Sequence, residues 1–213
     1  MSKNIDARID IDTVINLYKQ DVNYLYSKDF FSQRCKDTRQ WEKKVGNYFV
    51  KKLKIKSVVD FGCSIGSFLE GAIEAGASVK GFEYAYESAK EYIPKHMLPF
   101  IEKGNAGQLI NCGSYDLAMS IEVAEHILPE ESENFIHNLT NSAKKFILLT
   151  AAPLSQTGSL HINLKPYEFW INNITSQGWT HDVNIVNEMR EEIPKIASTP
   201  KHLRRNLMIF QKS

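Results

Sequence analysis

The sequence predicts an α/β fold, in which a mostly parallel sheet carries helices on both faces. From residue 56 onward, short apolar runs alternate with segments of helical periodicity, which is typical of parallel strands joined by crossover helices. A glycine-rich turn at residues 62–66 directly follows the first apolar run and opens a helix. Together these features indicate one α/β domain with a ligand site at the carboxyl ends of its strands.

Seven strands and four intervening helices are predicted for this domain. The strands are expected at residues 57–61, 78–83, 98–102, 115–120, 145–150, 179–186 and 205–211. The helices are expected near residues 66–75, 86–93, 132–143 and 167–176. Pro166 suits the start of the last helix, because proline is favoured in a first helical turn. The final two strands are expected to form an antiparallel hairpin with a short connection at the sheet edge.

The segment before the first strand is predicted to be helical. Residues 11–27 and 38–53 both place apolar side chains at helical spacing. We therefore expect residues 1–52 to form a cap or lid on a domain of residues 53–213. Its aromatic side chains are expected either to cover the site or to pin the cap to the core: Tyr24, Tyr26, Phe30, Phe31 and Trp41.

Composition excludes several broad classes of protein. Hydrophobic residues make up 43% and charged residues 24% of the 213 positions, which indicates a globular and not a disordered chain. The net charge of +1 argues against a general nucleic-acid binder. No apolar run approaches about eighteen residues, and the first residues lack an apolar signal segment, so neither a membrane span nor secretion is expected.

Cysteine usage points to a reducing compartment. Cys35, Cys63 and Cys112 are scattered and odd in number, which suits free thiols in the cytoplasm. The sequence leaves the oligomeric state open between a monomer and a homodimer.

The glycine turn has the residues of a nucleotide-type ligand site. Asp60 ends the first strand, and Gly62 and Gly66 permit a tight turn that a ligand can approach closely. The following helix start offers free N–H groups to an anionic ligand group. Glu83 ends the second strand 23 positions after Asp60, where a carboxylate can accept hydrogen bonds from two ribose hydroxyls.

The spacing of the turn separates two kinds of nucleotide site. The dinucleotide pattern G-x-G-x-x-G needs glycine at positions 62, 64 and 67, but this chain has Ser64 and Ser67. Its D-x-G-x-[GS]-x-G pattern instead resembles the class I S-adenosylmethionine-dependent methyltransferase family, over about residues 56–211. A glycine turn that binds no ligand is the remaining alternative.

The resemblance implies a Rossmann-like fold, with strand order 3-2-1-4-5-7-6, and S-adenosylmethionine as cofactor. Residues of the turn and of Glu83 would bind the cofactor, and so would three positions after later strands: Asn105, Ala106 and Ile121. In the family an acid near the adenine usually stands where Asn105 does, and the side-chain carbonyl of Asn105 can accept from the adenine amino group. The full set of predicted cofactor-binding residues is Asp60, Gly62, Cys63, Ser64, Gly66, Glu83, Asn105, Ala106 and Ile121.

The segment after the fourth strand carries a possible metal site. If it is helical, Glu122, Glu125 and His126 share one face. This E-x-x-E-H pattern resembles that of small-RNA 2′-O-methyltransferases and ubiquinone-pathway O-methyltransferases, and His161 is a candidate fourth ligand. The four side chains are predicted to bind a divalent metal such as magnesium. The alternatives are a general-base role for His126 or His161, and a hydrogen-bonded loop histidine without catalytic function.

The loop after the fifth strand is assigned to the methyl acceptor. His161 and Asn163 resemble part of an H-x-N-x-x-P-x-x-[FY]-W stretch in methyltransferases linked to glycan and small-molecule pathways. In extended chain the two side chains point the same way, so Asn163 is predicted to contact the acceptor beside His161. Residues 201–205 form a basic cluster, which is either a phosphate contact or a solvated loop face.

These observations predict O-methylation of a small-molecule or sugar-like acceptor, with His126 and His161 as catalytic residues. One alternative is a metal-dependent RNA ribose 2′-O-methyltransferase. Another is a non-catalytic module that binds S-adenosylmethionine.

Overall fold

The computed structural model describes residues 11–156, 158 and 160–212. Its seven strands are β1 (Ser57–Phe61), β2 (Ser78–Glu83), β3 (Ile101–Lys103), β4 (Tyr115–Ile121), β5 (Ala143–Thr150), β6 (Trp179–His181) and β7 (Leu207–Lys212). They form one sheet in the order β3-β2-β1-β4-β5-β7-β6, which confirms the predicted order. β7 pairs antiparallel with β5 and β6, and the other pairs are parallel.

Ten α-helices surround the sheet in the described part of the chain. Before the sheet come α1 (Ile11–Gln20), α2 (Val22–Leu25), α3 (Lys28–Asp37) and α4 (Arg39–Leu53). Within the alternating region lie α5 (Ser67–Glu74), α6 (Tyr86–Ala89), α7 (Ser132–Ser142), α8 (Tyr167–Thr175), α9 (Val183–Ile196) and α10 (Lys201–Arg205). None of the helices described combines the length and apolar character needed to cross a bilayer.

The central strands are buried on both faces. Successive side chains of a strand point to opposite faces of the sheet, and here they enter two different core clusters. Val58 of β1 belongs to the cluster that includes α4, α5 and α9, whereas Val59 belongs to the cluster that includes α7 and α8. The parallel strands β1, β2 and β4 all end at one edge of the sheet. This edge therefore brings together Gly62, Glu83 and Glu122, which are distant in sequence.

The amino-terminal segment contains two different kinds of helix. α4 packs closely on α5, since Gly46 and Gly71 leave no room for a Cβ between the two backbones. Phe49 of α4 stacks on Phe68 of α5, with ring centroids 6.1 Å apart. The helices α1, α2 and α3 lie instead at the carboxyl edge of the sheet, where their side chains line a cavity. The division between a cap and a main domain at residue 52 stays a prediction.

Two element predictions are corrected by the structure, and one helix was not predicted. The helix predicted at residues 11–27 is broken, because Asp21 caps α2 by accepting from the Asn23 N–H at 3.0 Å. The strand predicted at residues 98–102 begins only at Ile101, after a 3₁₀ turn at Leu98–Phe100. α3 was not predicted, since Phe31 is the one buried residue among its ten.

The short connection predicted between the last two strands is wrong, whereas their predicted antiparallel pairing is confirmed. β6 ends at His181, because Asp182 caps α9 and accepts from the Ile185 N–H at 2.9 Å. α9 and α10 then form the link to β7. The two strands still pair antiparallel at the sheet edge, with Thr180 opposite Gln211.

Candidate functional site

A cavity of about 1190 Å³ opens at the carboxyl ends of β1, β2 and β4. Its walls come from the glycine turn, the end of β2, the loops that follow β3, β4 and β5, and the helices α1, α2, α3 and α10. Of the predicted cofactor-binding and acceptor-side residues, those that line it are Gly62, Ser64, Glu83, Asn105, Ala106, Ile121, Glu122, Glu125, His126 and His161.

The glycine turn lies against both β2 and the loop after β4. Gly62 has φ +86°, and a Cβ there would lie 2.4 Å from a methyl carbon of Val123. The backbone N–H of Ser64 donates to Glu83 Oε2 at 2.8 Å, and that of Ala85 donates to Glu83 Oε1 at 2.8 Å. Burial raises the pKa of Glu83. Each oxygen of Glu83 keeps a second lone pair for a ligand hydroxyl.

Three predicted cofactor-binding residues support this turn from behind and do not line the cavity. Gly66 begins α5 with φ +77° and faces Ile101. The Cys63 thiol packs beside Gly81, and burial raises its pKa. Asp60 is 2% exposed, and its Oδ1 atom has no hydrogen-bond partner.

A partly buried ion pair near Asp60 was missed by the sequence prediction. Arg34 of α3 lines the cavity and pairs with Glu42 of α4, which is itself buried. Burial raises the pKa of Asp60, the Glu42 charge raises it further, and the Arg34 charge lowers it. Glu42 is therefore the carboxylate that the Arg34 guanidinium contacts, and Asp60 feels both charges without a hydrogen bond to either on its Oδ1 atom. No sequence signal links these three positions, since they come from three different elements.

Asn105 lines the cavity, and its side-chain carbonyl already has partners within the protein. Its Oδ1 atom accepts from the Gly107 N–H at 2.9 Å and from the Tyr18 hydroxyl at 3.4 Å. Both lone pairs of that oxygen are therefore in use within the protein. Its Nδ2 atom lies 3.5 Å from Glu131 Oε1. Glu131 was not predicted, and its other carboxylate oxygen is buried without a partner.

The segment after β4 is a turn and not a helix. Glu122 has φ +53°, and the His126 N–H donates to the Val123 carbonyl at 2.8 Å. The Glu125 carbonyl accepts from the Ile162 N–H at 2.9 Å. Because of this link between the two loops, the rings of His126 and His161 meet edge to face with centroids 4.9 Å apart.

Three of the four predicted metal ligands lie together. One ligand atom from each of Glu125, His126 and His161 lies within 4.8 Å of the others, and the described residues contain no other such group. Each imidazole Nδ1 is 3.0 Å from a backbone carbonyl, of Leu160 for His126 and of Gln156 for His161. A carbonyl can only accept, so each Nδ1 carries a proton, and Nε2 is the ring atom that is left to bind a ligand.

Glu125 and His126 are both strongly affected by burial. Glu125 is 1% exposed, and neither of its carboxylate oxygens has a hydrogen-bond partner. Burial, and then the nearby Glu122 carboxylate, raise the pKa of Glu125 to about 8. Burial, and then His161, lower the pKa of His126 to about 4. At neutral pH the site therefore contains a protonated carboxyl group beside a neutral imidazole.

Glu122 lies outside the three-residue group. Its oxygens accept from Asn206 Nδ2 at 2.9 Å and from Gln156 Nε2 at 3.1 Å. Gln156 was not predicted, yet it contacts Glu122 through its side chain and His161 through its carbonyl. Nothing in the sequence of that loop marks it out.

Asn163 does not reach the acceptor side of the cavity. It is buried, and its Nδ2 atom donates to the Ala124 carbonyl at 3.1 Å and to Ser132 Oγ at 3.0 Å. His161 lines the cavity, whereas Asn163 does not. Asn163 therefore holds the turn after β4 in place, and the prediction that it contacts the acceptor is corrected.

The aromatic residues of the amino-terminal segment divide between cavity and core. Tyr26 and Phe30 line the cavity, and the ring of Tyr26 lies edge to face with His126 at 6.0 Å. Trp41 packs on Phe68 with ring centroids 5.7 Å apart, so it belongs to the core beside α5.

Comparison with known proteins identifies the fold. No protein-family model and no curated protein matches the sequence. Magnesium protoporphyrin IX methyltransferase from Synechocystis PCC 6803, solved with bound S-adenosylmethionine, is 18% identical at a TM-score of 0.59, over 98% of this chain and all of that one. The sugar N-methyltransferase KedS8 from Streptoalloteichus is 10% identical at a TM-score of 0.63, over 87% and 92%.

A third structure has the same fold with the reaction product bound. It is the O-methyltransferase of a polyketide synthase multienzyme from Brevibacillus brevis, in complex with S-adenosylhomocysteine. It is 16% identical at a TM-score of 0.52, over 98% of this chain and 81% of that one. The chain therefore has the fold of the class I S-adenosylmethionine-dependent methyltransferases.

Proposed function

We propose that the chain is an S-adenosylmethionine-dependent methyltransferase that methylates a hydroxyl oxygen of a small-molecule or sugar-like acceptor. The observation that carries this proposal is one cavity that is lined both by the glycine turn and Glu83 and by His126 and His161. The first pair suits a nucleoside-type donor, and the second suits activation of a hydroxyl group, either by His161 as a base or through a bound metal. The structures with this fold that carry S-adenosylmethionine or its product support the donor half.

Several residues would hold the donor. The Glu83 carboxylate would accept from the ribose hydroxyls while it keeps the Ser64 and Ala85 N–H groups in place. The Asp60 carboxyl group lies behind the glycine turn, so its unpartnered Oδ1 atom would act on the ammonium of the methionine moiety through a water molecule and not by direct contact. S-adenosylmethionine, when bound, supplies an electrophilic methyl group to the acceptor oxygen. The protein contributes mainly by aligning the two reactants in one cavity.

The acceptor oxygen has to lose its proton as the new bond forms. His126 has a pKa of about 4, so it is a weak proton acceptor. This leaves His161 as the base of a metal-free enzyme. If an ion occupies the Nε2 atoms of both imidazoles, neither ring can act as a base. The two predicted roles of these histidines therefore exclude each other.

We propose that Glu125, His126 and His161 bind a divalent metal. The unpartnered carboxylate of Glu125 fits this role, because a buried carboxyl group without hydrogen bonds is unfavourable unless a ligand satisfies it. The Nδ1–carbonyl contacts fit as well, since they are typical second contacts of metal-binding histidines. Two imidazoles favour a transition-metal ion over the predicted magnesium. Such an ion lowers the pKa of a bound hydroxyl group.

The same cluster favours a second candidate function, 2′-O-methylation of RNA ribose. The net charge of +1 argues against it, because RNA binding draws on phosphate contacts by many basic residues. Methyl transfer to a short RNA, abolished by a chelator, would establish it. The cytoplasmic location is part of the main proposal and is supported by three free cysteines.

A crystal structure with S-adenosylhomocysteine and Mn²⁺ tests the proposal directly. We expect the ribose hydroxyls within hydrogen-bond distance of Glu83 and an anomalous peak between Glu125 and His161. S-adenosylhomocysteine bound away from the glycine turn would contradict the proposed methyltransferase function. A correctly bound product without a metal peak contradicts only the metal, and leaves His161 as the base.

A further inference from the structure

Three basic side chains line the cavity from one short helix. Lys201, His202 and Arg205 all belong to α10, and their side chains are exposed toward the cavity mouth. The helix itself is firmly placed. Leu203 is buried in the core, and the Arg190 guanidinium donates to the carbonyls of Arg204, Arg205 and Leu207 at 2.9, 3.0 and 3.2 Å. The basic groups therefore sit on a fixed element.

The described residues give no ion-pair partner to Lys201, His202 or Arg205. The charges of Lys201 and Arg205 are therefore not neutralised within the part of the chain that the structure describes. Other basic side chains are paired, such as Lys52 with Glu188 and Glu192. Arg205 contacts the side-chain oxygens of Gln156 and Asn206. Unpaired positive charges at the mouth of a cavity attract anions and raise their local concentration.

The cluster adjoins the acceptor side of the cavity. Gln156 accepts from Arg205 through its side chain and from His161 Nδ1 through its carbonyl. The amides of Gln156 and Asn206 also stand between Arg205 and the Glu122 carboxylate. An acceptor that presents a hydroxyl group to His161 can therefore reach α10 with another of its groups.

We propose that Lys201, His202 and Arg205 bind a phosphoryl group of the methyl acceptor, which makes the acceptor a phosphorylated small molecule. This inference rests on the proposed function. A phosphate monoester carries about two negative charges and three acceptor oxygens at neutral pH, and thus matches three donors. A single carboxylate needs only one bidentate arginine. The planar guanidinium of Arg205 and the ammonium of Lys201 are both common phosphate ligands.

The test is an NMR titration of the protein with inorganic pyrophosphate at constant ionic strength, read at the backbone amides of residues 201–206. We expect saturable shifts that Lys201→Glu weakens at least about tenfold, equivalent to about 1.4 kcal/mol. Lys195→Glu is the matched control, since it makes the same charge change on α9 outside the cavity. It should leave pyrophosphate affinity within about twofold.

Several results would overturn the inference. The inference is wrong if pyrophosphate causes no saturable shift in the wild type. It is also wrong if Lys201→Glu and Lys195→Glu weaken pyrophosphate binding equally, or if malonate binds as tightly as pyrophosphate. S-adenosylhomocysteine titrated into the same samples separates this inference from the proposed function. Its affinity should be unchanged in Lys201→Glu. If it fails to bind the wild type while pyrophosphate binds, the proposed function is contradicted and the anion site is supported.

Discussion

Gly62 joins the turn after β1 to the turn after β4. Its φ of +86° is a conformation that side chains disfavour, and Val123 occupies the space where a Cβ would project. Val123 precedes Glu125 and His126 in the same turn. A side chain at position 62 would therefore disturb the donor wall and the acceptor wall together.

Gly62→Ala should weaken S-adenosylhomocysteine binding by about tenfold or more. The added methyl group would overlap the side chain of Val123, so either Val123 or the glycine turn has to move. Gly76→Ala is the matched control. Its φ is +88°, yet no heavy atom lies within 4 Å of the added Cβ. Both variants should lose about 1 kcal/mol of stability from backbone strain. Calorimetric titration that finds equal affinity in the two variants would contradict the role of Gly62.

Glu125→Gln should stabilise the metal-free protein at about pH 8 and abolish the stabilisation by Mn²⁺. In the unfolded chain Glu125 loses its proton near its usual pKa, and in the folded chain near 8. The folded state therefore binds more protons between these values, and the free energy of unfolding falls as pH rises through this window. Each unit of pKa shift corresponds to about 1.4 kcal/mol, and glutamine does not ionise.

Thermal denaturation with and without Mn²⁺ measures both effects. Glu131→Gln is the control, because burial also raises the pKa of Glu131 and it lies outside the metal group. It should keep the Mn²⁺-induced rise in melting temperature. The same rise in Glu125→Gln as in the wild type would remove Glu125 from the metal site.

Metal affinity should increase with pH up to about 8 and then level off. At neutral pH Glu125 holds a proton that the metal has to displace, whereas His126 is already neutral. Binding at neutral pH should therefore release about one proton. Calorimetry in two buffers of different ionisation enthalpy measures this number. An affinity that does not change between about pH 6 and about pH 8 is incompatible with this protonation state.

Single residues were predictable from sequence where a local pattern constrains them. Gly62 and Glu83 follow from turn chemistry and strand position. The Arg34–Glu42 pair does not, because it forms only when α3 packs against α4. Asn163 was misassigned since its direction depends on the path of a loop, which carries no periodicity.

At the scale of elements, α9 and α10 determine where the basic cluster stands. Residues 183–186 include Val183, Ile185 and Val186, whose β-branched side chains favour a strand. The segment is nevertheless a helix, because Asp182 caps its first turn and its buried residues recur at helical spacing: Val186, Met189 and Ile193. The central strands were predictable because both faces are buried, and α3 was not, because it buries almost nothing apolar.

Asp182→Ala should cost about 1 kcal/mol of stability, since it removes the side-chain acceptor for the Ile185 N–H. Asp182→Asn should retain most of the stability, because its side-chain carbonyl can still cap α9. Urea denaturation measures both variants. Neither should change S-adenosylhomocysteine affinity, and a loss of that affinity in Asp182→Ala would mean that α9 acts on the donor wall.

At the scale of the whole molecule, the sheet edge brings two chemically distinct walls into one cavity. The donor wall comes from β1 and β2, with Gly62, Ser64 and Glu83. The acceptor wall comes from the loops after β4 and β5, with Glu125, His126 and His161. The parallel direction of these strands places both walls at one edge, and it was predictable from the alternating pattern, whereas the strand order was implied by the family resemblance. How closely the walls approach depends on tertiary packing, which no local pattern records.

The most direct test of the central claim is calorimetric titration of the chain with S-adenosylhomocysteine. We predict one-to-one binding in the wild type, weakened by about tenfold or more in Glu83→Ala, which loses the carboxylate for the ribose hydroxyls. The melting curve of Glu83→Ala should confirm that it is folded, since Glu83 also accepts from Ser64 and Ala85. Absence of binding in the wild type, or equal affinity in a folded Glu83→Ala, would contradict the account.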